Sequence, residues 1–207
     1  MILALETSTR RASLAVYDEA AQEVLWEEAF ETDRSHNSII FEPVETALQQ
    51  FEDRITKIAV GLGPGVYGGI RVGIAVANGL GLARDWETVG VSSLEAFAKE
   101  EDYLVVGDAR RKTFFLAEVI AGSLSGEPEL LSAEDLETRL ADYEGSIVSA
   151  EESVVERFSR VQLAFPEATR IARRATQEGA FPEKEKALEP HYLRAPYITT
   201  PKTASSH

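Results

Sequence analysis

The sequence contains no cysteine among its 207 residues. This absence excludes disulfide bonds, thiolate metal ligands and cysteine nucleophiles, and it fits a reducing compartment. Histidine is also scarce. The three histidines are His36, His191 and His207, and no pair has the HExxH or HxxxH spacing that is typical of a metal site. The sequence therefore predicts neither a metal centre nor cysteine-based catalysis.

Basic residues are few compared with acidic ones. The chain has 21 Lys and Arg against 35 Asp and Glu, which gives a formal net charge of −14. Such a protein repels phosphate backbones, so any contact with nucleic acid needs a basic partner or a local basic patch. No apolar run approaches the roughly 20 residues of a membrane span, and the N-terminus has no signal-peptide pattern. We expect a cytoplasmic protein that does not associate with membranes.

The periodicity of apolar residues predicts an α/β protein. Strand patterns cover 2–6, 12–17, 23–31, 57–62 and 88–91, and helical patterns cover about 40–51 and 68–83. Three strands followed by helix, strand, helix and strand are typical of a sheet with helices on its faces. A second, less regular series of strand and helix patterns begins at residue 103. The sequence therefore predicts two α/β lobes, 1–101 and 102–207.

A stripe of small residues runs along the second predicted helix. Gly69, Gly73, Ala77 and Gly81, called the glycine stripe below, recur every four residues and so share one helix face. Each helical glycine costs about 1 kcal/mol relative to alanine, so close approach of another backbone should offset this cost. Two interpretations stay open: the helix packs on the chain's own sheet, or it packs on another subunit.

Two loops in the first lobe are candidates for phosphate binding. Glu6, Thr7 and Ser8 come at the end of the first strand, where actin-like and Hsp70-like ATPases have a carboxylate and Ser or Thr that face phosphates and Mg²⁺. The alternative is an ordinary hydroxyl-rich turn. The loop 61–69 precedes a helix N-terminus, which favours anions, but it lacks the Lys-Ser/Thr ending of a P-loop and does not match GxGxxG.

One turn in the second lobe is rich in basic residues. Residues 108–112 read Asp-Ala-Arg-Arg-Lys, and Arg110 and Arg111 are the best candidates for an anion contact in so acidic a protein. The alternative is a solvated hairpin tip without a ligand.

Several short segments, spread over most of the chain, match one known family. They are Ile2–Ser8, His36 with Pro43, Gly63–Gly65 with Gly69–Gly73, Gly90–Leu94, Asp108–Arg111 and Pro190–Arg194. Together they resemble the TsaB (YeaZ) family of bacterial proteins that take part in threonylcarbamoyladenosine synthesis on tRNA. The region from about residue 122 to 182 adds little to the resemblance.

The resemblance implies an actin-like ATPase fold, related to ribonuclease H, with two lobes of βββαβα topology. It further implies a non-catalytic scaffold that pairs with a catalytic TsaD-like paralogue and a TsaE-like ATPase, and that forms a homodimer when alone. The complex transfers a threonylcarbamoyl group to tRNA, which the scaffold meets only through the complex. Pairing uses two first-lobe helices, here about Ser38–Phe51 and Gly68–Ala83.

These implications fix the residues that we expect to carry function. The predicted interface consists of Ile40, Val44, Gly69, Gly73, Ile74, Ala77 and Gly81. Glu6, Thr7, Ser8, Gly63 and Gly65 form a candidate vestigial nucleotide site. We expect no catalytic residue and no metal, because Ser93 and Phe97 stand where the catalytic paralogue carries a histidine pair.

The resemblance also bears on cofactors and on alternative activities. We expect no cofactor on the isolated chain, with ATP or ADP only at an interface within the complex. Val66 and Tyr67 replace the hydroxyl-rich loop of many relatives, and Glu6 replaces an aspartate. The alternatives are a small actin-like ATPase or kinase that uses Glu6 and the loop 61–69, and a glycoprotease-like peptidase.

Overall fold

The computed structural model describes residues 1–32, 37–97, 101–177 and 188–193. The strands there are β1 (Ile2–Glu6), β2 (Arg11–Asp18), β3 (Glu23–Glu31), β4 (Lys57–Gly61), β5 (Glu87–Val91), β6 (Tyr103–Asp108), β7 (Phe114–Ile120), β8 (Ser123–Leu124), β9 (Glu129–Leu131), β10 (Ser146–Ser149) and β11 (Gln162–Leu163). The α-helices are α1 (Phe41–Phe51), α2 (Tyr67–Arg84), α3 (Ala133–Ala141), α4 (Glu152–Arg157) and α5 (Ala168–Arg174). His36 and Arg194, which the family resemblance includes, lie outside the described residues.

The first sheet is five-stranded, with the order β3-β2-β1-β4-β5. β1 pairs with β2 in antiparallel fashion, whereas β1, β4 and β5 are parallel to one another. Their carboxyl ends, Glu6, Gly61 and Val91, therefore lie along the same edge of the sheet. In open α/β sheets this edge is the usual place for a ligand.

Both faces of the first sheet are covered by helices, so β1 is buried along its whole length. Because side chains alternate between the faces of a strand, Leu3 and Leu5 join one apolar cluster with α1 and α2. Ile2 and Ala4 point the other way and pack against Ile171 of α5 and its neighbours. This sandwich fixes the position of the loops at the carboxyl edge.

The second sheet repeats the topology of the first. β6 pairs antiparallel with β7 and parallel with β10, as β1 pairs with β2 and β4. β9 pairs with β7 as β3 does with β2, and β11 pairs with β10 as β5 does with β4. The turn after β6 is therefore the counterpart of the turn after β1.

Two features differ from the simple picture that the sequence suggests. The boundary predicted at residue 101 lies between the two sheets, but α5, which follows it in the chain, packs on β1 and β2 of the first sheet. Ser92 and Glu95 have the spacing of a capping box, which predicts a helix, but only a short 3-10 helix, Ser93–Ala96, follows, capped by the Ser92 hydroxyl. No helix in the described part of the chain combines the length and apolar character needed to cross a bilayer.

Candidate functional site

The turn after β1 is almost completely buried. Glu6 is 0% exposed, and its Oε1 accepts the backbone N–H of Ser8 at 2.6 Å. Burial raises the pKa of the Glu6 carboxyl above its usual value, and hydrogen bonding by Ser8 and Ser93 offsets part of this effect. Within the described residues, neither Glu6 Oε2 nor Ser8 Oγ has a partner of good hydrogen-bond geometry. The turn therefore holds a carboxyl that is short of hydrogen bonds.

The loop before α2 packs directly on this turn. The backbone N–H of Val66 donates to the Ser8 carbonyl at 2.6 Å, and Thr7 Oγ1 donates to the Gly69 carbonyl at 2.8 Å. A Cβ at Gly65 would overlap the same Ser8 carbonyl oxygen. The structure thus places Gly65 against the turn that holds Glu6, Thr7 and Ser8, while Gly63 is hydrogen-bonded to Ser93. The Val66–Ser8 and Thr7–Gly69 hydrogen bonds therefore tie the loop directly to the turn.

Two further segments close the carboxyl edge of the sheet. The N–H of Gly63 donates to Ser93 Oγ at 3.0 Å, so this position, expected to hold a metal-binding histidine in a catalytic paralogue, here supports the loop. Phe97 lies in an apolar cluster of the second lobe. His191 donates its N–H to the Leu62 carbonyl at 2.8 Å, and Tyr192 stacks on Tyr67 with centroids 5.6 Å apart. The described residues hold no group of three potential metal ligands.

The glycine stripe does not face another subunit, which corrects the predicted interface. A Cβ at Gly69 or Gly73 would overlap atoms of Thr7, and one at Gly81 would overlap the Thr88 side chain. Ala77 is fully buried on the same face. The stripe is therefore the seam between α2 and its own sheet, where side-chain-free positions permit close approach.

The apolar half of the predicted interface is also internal. Ile40, Val44 and Ile74 are all buried and belong to the cluster that α1 and α2 form with β1 and β4. These side chains stabilise the first lobe, and they present no surface to a partner. The periodicity predicts the helix correctly, but it does not show which face of the helix packs on the chain's own sheet.

The opposite face of α2 is exposed except at its start, where Gly68 is half-buried, and most of its residues are small. It consists of Gly68, Arg71, Ala75, Gly79 and Leu82, called the outer face below. Leu82 is 89% exposed, and a Cβ added at Gly68 or Gly79 would meet nothing within 4 Å. Beside it, α1 begins with Phe41, which is 59% exposed. Arg84 of α2 forms an ion pair with Glu52, just beyond α1, at 2.5 Å. The two helices therefore present exposed apolar residues on the same side of the sheet.

The turn after β6, residues 109–112, called the basic turn below, is built like its counterpart in the first lobe. Asp108 Oδ1 accepts the N–H of Arg110 at 2.7 Å, just as Glu6 accepts the N–H of Ser8. Asp108 in turn donates its N–H to Glu151 Oε1 at 2.9 Å. Burial raises the pKa of the Glu151 carboxyl, and the Asp108 N–H partly counteracts the shift. Unlike the first turn, this one is exposed and carries three successive cations.

A cavity of about 290 Å³ lies between the basic turn and α4. Arg157 of α4 lines it and lies over the Phe114 ring at 5.2 Å from the centroid. Ser153 contributes a hydroxyl-bearing residue from the same helix. The sequence predicts Arg110 and Arg111 as an anion contact. It does not indicate Arg157, which becomes a neighbour only when β10 returns parallel to β6 and positions α4.

Arg110, Arg111 and Lys112 all have left-handed backbones, with φ values of 68°, 56° and 63°. We expect Lys112→Gly to raise the free energy of unfolding by about 1 kcal/mol, because glycine adopts this conformation without the Cβ clash. Urea unfolding followed by circular dichroism measures the change. Glu137→Gly, on the exposed side of the right-handed helix α3, is the control and is expected to lower stability by about 1 kcal/mol. Equal losses in both variants would contradict the prediction.

The family model for TsaD, tRNA N6-adenosine threonylcarbamoyltransferase, matches residues 29–194. The tRNA threonylcarbamoyladenosine biosynthesis protein TsaB of Escherichia coli K12 is 33% identical over 101 residues, covering 47% of this chain and 42% of that protein. TsaB of Haemophilus influenzae is 28% identical over 129 residues, covering 58% and 53%. The chain thus spans about half the length of these curated relatives.

A solved structure extends the likeness to nearly the whole chain. It is a Pseudomonas aeruginosa protein described as similar to the peptidase YEAZ, with a TM-score of 0.75 and 25% identity. The match covers 93% of this chain and 99% of that one. Together with the two repeated α/β sheets, it confirms the predicted actin-like fold.

Proposed function

We propose that the chain is a scaffold subunit in threonylcarbamoyladenosine synthesis on tRNA. The proposal rests on its family: the chain belongs to the TsaD family, described as tRNA N6-adenosine threonylcarbamoyltransferase, and within it to the TsaB (YeaZ) group. In this role it pairs with a catalytic TsaD-like paralogue and, within the same complex, with a TsaE-like ATPase. It makes no bond itself.

The closed carboxyl edge of the first sheet is the observation that supports a scaffold. A phosphate site there needs free backbone N–H groups and space for the ligand. Here Val66 already donates its N–H to Ser8, and the Gly69 carbonyl already accepts from Thr7. Opening the site would break these bonds and expose the Glu6 carboxyl. An adenine nucleotide is therefore expected only where subunits meet, if the complex uses one.

Titration calorimetry separates this proposal from a small actin-like ATPase. ATP with Mg²⁺ is expected to give no binding heat with the isolated full-length chain, and phosphate release is expected to stay at background. Tight binding with turnover would favour the ATPase and would contradict a scaffold that is closed by its own loop.

The outer face of α2 is the surface that we assign to the partner. Gly68, Ala75 and Gly79 let a second helix approach closely, because nothing projects from the backbone at these positions beyond a methyl group. Leu82 and Phe41 supply exposed apolar anchors near the ends of α2 and α1. A small-residue seam with apolar anchors favours helix-to-helix packing. The same surface serves the homodimer when the paralogue is absent.

We expect Leu82→Glu to weaken the complex with the TsaD-like paralogue at least about tenfold, because it replaces an apolar anchor of the contact by a charge. Full-length proteins mixed and analysed by titration calorimetry give the Kd. Threonylcarbamoyladenosine formation on a tRNA transcript by the reconstituted proteins gives the functional readout.

Leu130→Glu is the matched control, since Leu130 is 44% exposed but lies on β9 of the second sheet. It is expected to leave both readouts unchanged. Wild-type affinity in Leu82→Glu would reject the outer face as the partner surface. A wild-type chain that neither binds the paralogue nor supports the reaction would reject the scaffold itself.

A further inference from the structure

We propose that the basic turn and Arg157 form a contact site for the phosphodiester backbone of RNA. The family resemblance implies contact with tRNA only through the complex, whereas this site gives the chain an RNA contact of its own. The choice of tRNA as the RNA rests on the proposed function, and the site itself is argued from charge and geometry. It lies on the second lobe, away from α1 and α2, so it is separate from the partner surface.

The local charge at this site is opposite to that of the protein. Four cationic side chains line the cavity, from Arg110, Arg111, Lys112 and Arg157, against one carboxylate, Asp108. The whole chain carries −14. A basic cavity on an acidic protein attracts a polyanion locally while the remaining surface repels it. This is the local patch that the overall composition makes necessary for any nucleic-acid contact.

The cations are arranged to reach outward. The three basic residues of the turn are all exposed, and Arg110 is held by Asp108 only at 3.6 Å with its side chain 81% exposed. Arg157 is exposed too, and its guanidinium lies near two rings, those of Phe114 and Phe158. These ring contacts restrict the position of the Arg157 guanidinium but do not neutralise its charge. Ser153 adds a hydroxyl-bearing side chain that suits a phosphate oxygen.

Comparison of the two equivalent turns shows what is special about the second. Both use the acid at the strand end to bind the N–H two residues later. The first turn then continues with Ser8 and Thr9, which are buried. The second continues with three exposed basic residues in a left-handed backbone. The turn after the first strand of the sheet is therefore buried in the first lobe, whereas its counterpart in the second lobe is exposed and cationic.

The extent of the patch favours a polymer over a single phosphate. Arg10, in the turn after β1, pairs with Glu152 next to Ser153 at 2.5 Å, and so reaches this side of the second lobe. Arg10 and Arg11 both lie over the Phe165 ring, at 5.5 and 5.9 Å from its centroid. Basic side chains thus extend from the cavity to the first lobe, with Arg10 in an ion pair with Glu152 between them. Exposed, long side chains at several points suit successive phosphates along a chain.

The test is binding of a fluorescein-labelled tRNA transcript to the full-length chain, followed by anisotropy between about 20 and 200 mM NaCl. The patch variant combines Arg110→Gln, Arg111→Gln and Lys112→Gln. The control combines Arg54→Gln, Arg84→Gln and Arg139→Gln, which removes the same charge from exposed ion pairs elsewhere.

We expect the patch variant to lose at least about tenfold in affinity at low salt, and its salt slope to fall by about 2 to 3, because each lost phosphate contact removes close to one unit. The control is expected to stay within about threefold of wild type. Equal losses in both variants, or a wild-type chain that does not bind tRNA, would overturn the proposal. Patch-dependent binding of ATP without binding of tRNA would overturn it as well, and would identify a nucleoside phosphate as the ligand.

Failure of this proposal is distinguishable from failure of the scaffold function. The binding measurement uses the chain alone, and the complex with the TsaD-like paralogue is measured through the outer face. If the patch variant binds tRNA as the wild type does, the RNA site is rejected, but the complex with the TsaD-like paralogue is not affected by that result. A chain that forms no complex still reports its own affinity for tRNA.

Discussion

Gly69→Ala is expected to lower the free energy of unfolding by about 3 kcal/mol or more, although alanine is the better helix former. The added Cβ would overlap the carbonyl oxygen of Thr7. Backbone atoms in a turn that is tied on both sides cannot move cheaply, so the cost lies at the upper end of that for overpacking. The helix propensity gained, about 1 kcal/mol, is too small to offset it.

Gly79→Ala provides the matched control on the same helix. A Cβ at Gly79 meets nothing within 4 Å, so the substitution is expected to stabilise the protein by about 0.5 to 1 kcal/mol through helix propensity. Urea unfolding, followed by circular dichroism at 222 nm as the usual helical probe, measures both variants. Loss of stability only in the Gly69 variant would establish internal packing of the stripe. A stable, folded Gly69→Ala that fails to dimerise would restore the intersubunit interpretation.

This pair of glycines shows why the helix could be predicted and its interface could not. The periodicity gives the helix to within one residue at each end, because propensity and apolar spacing are local properties. Both the glycine stripe and the outer face contain small residues at helical spacing. Which of them meets the sheet depends on Thr7, which is distant in sequence and reaches α2 only after β1 and β4 have paired.

The position of the candidate phosphate loops could also be predicted only in part. Glu6 and Gly65 could be predicted to come together, because both follow parallel strands of one sheet. The direct packing of these two loops could not be predicted, because it depends on one backbone hydrogen bond from the Val66 N–H to the Ser8 carbonyl. The sequence does not indicate Arg157 as a site residue, because a single arginine on a short helix has no distinctive pattern. It gains meaning only from the repeated topology of the second lobe.

Glu6→Gln is expected to remove a pH dependence of stability. Burial raises the pKa of Glu6 in the folded protein above its value in the unfolded chain. The unfolded state then binds fewer protons than the folded state, so the contribution of this group to the free energy of unfolding falls as pH rises from the unfolded value, about 4.3, through the folded pKa. A glutamine cannot ionise, and its amide oxygen still accepts the Ser8 N–H.

Stability of Glu6→Gln relative to wild type is therefore expected to be higher at pH 8 than at pH 4, because only the wild-type carboxyl must stay protonated or ionise in a buried place. Ser93, whose hydroxyl hydrogen-bonds the wild-type carboxyl, can accept from the amide N–H₂. Glu137→Gln, an exposed carboxyl on α3, is expected to show the same difference from wild type at both pH values. If Glu6→Gln behaved like that control, the carboxyl would have to be solvated, and the turn after β1 would be open to a ligand. The scaffold proposal depends on that turn being closed, so this titration tests it from inside the first lobe, independently of any partner.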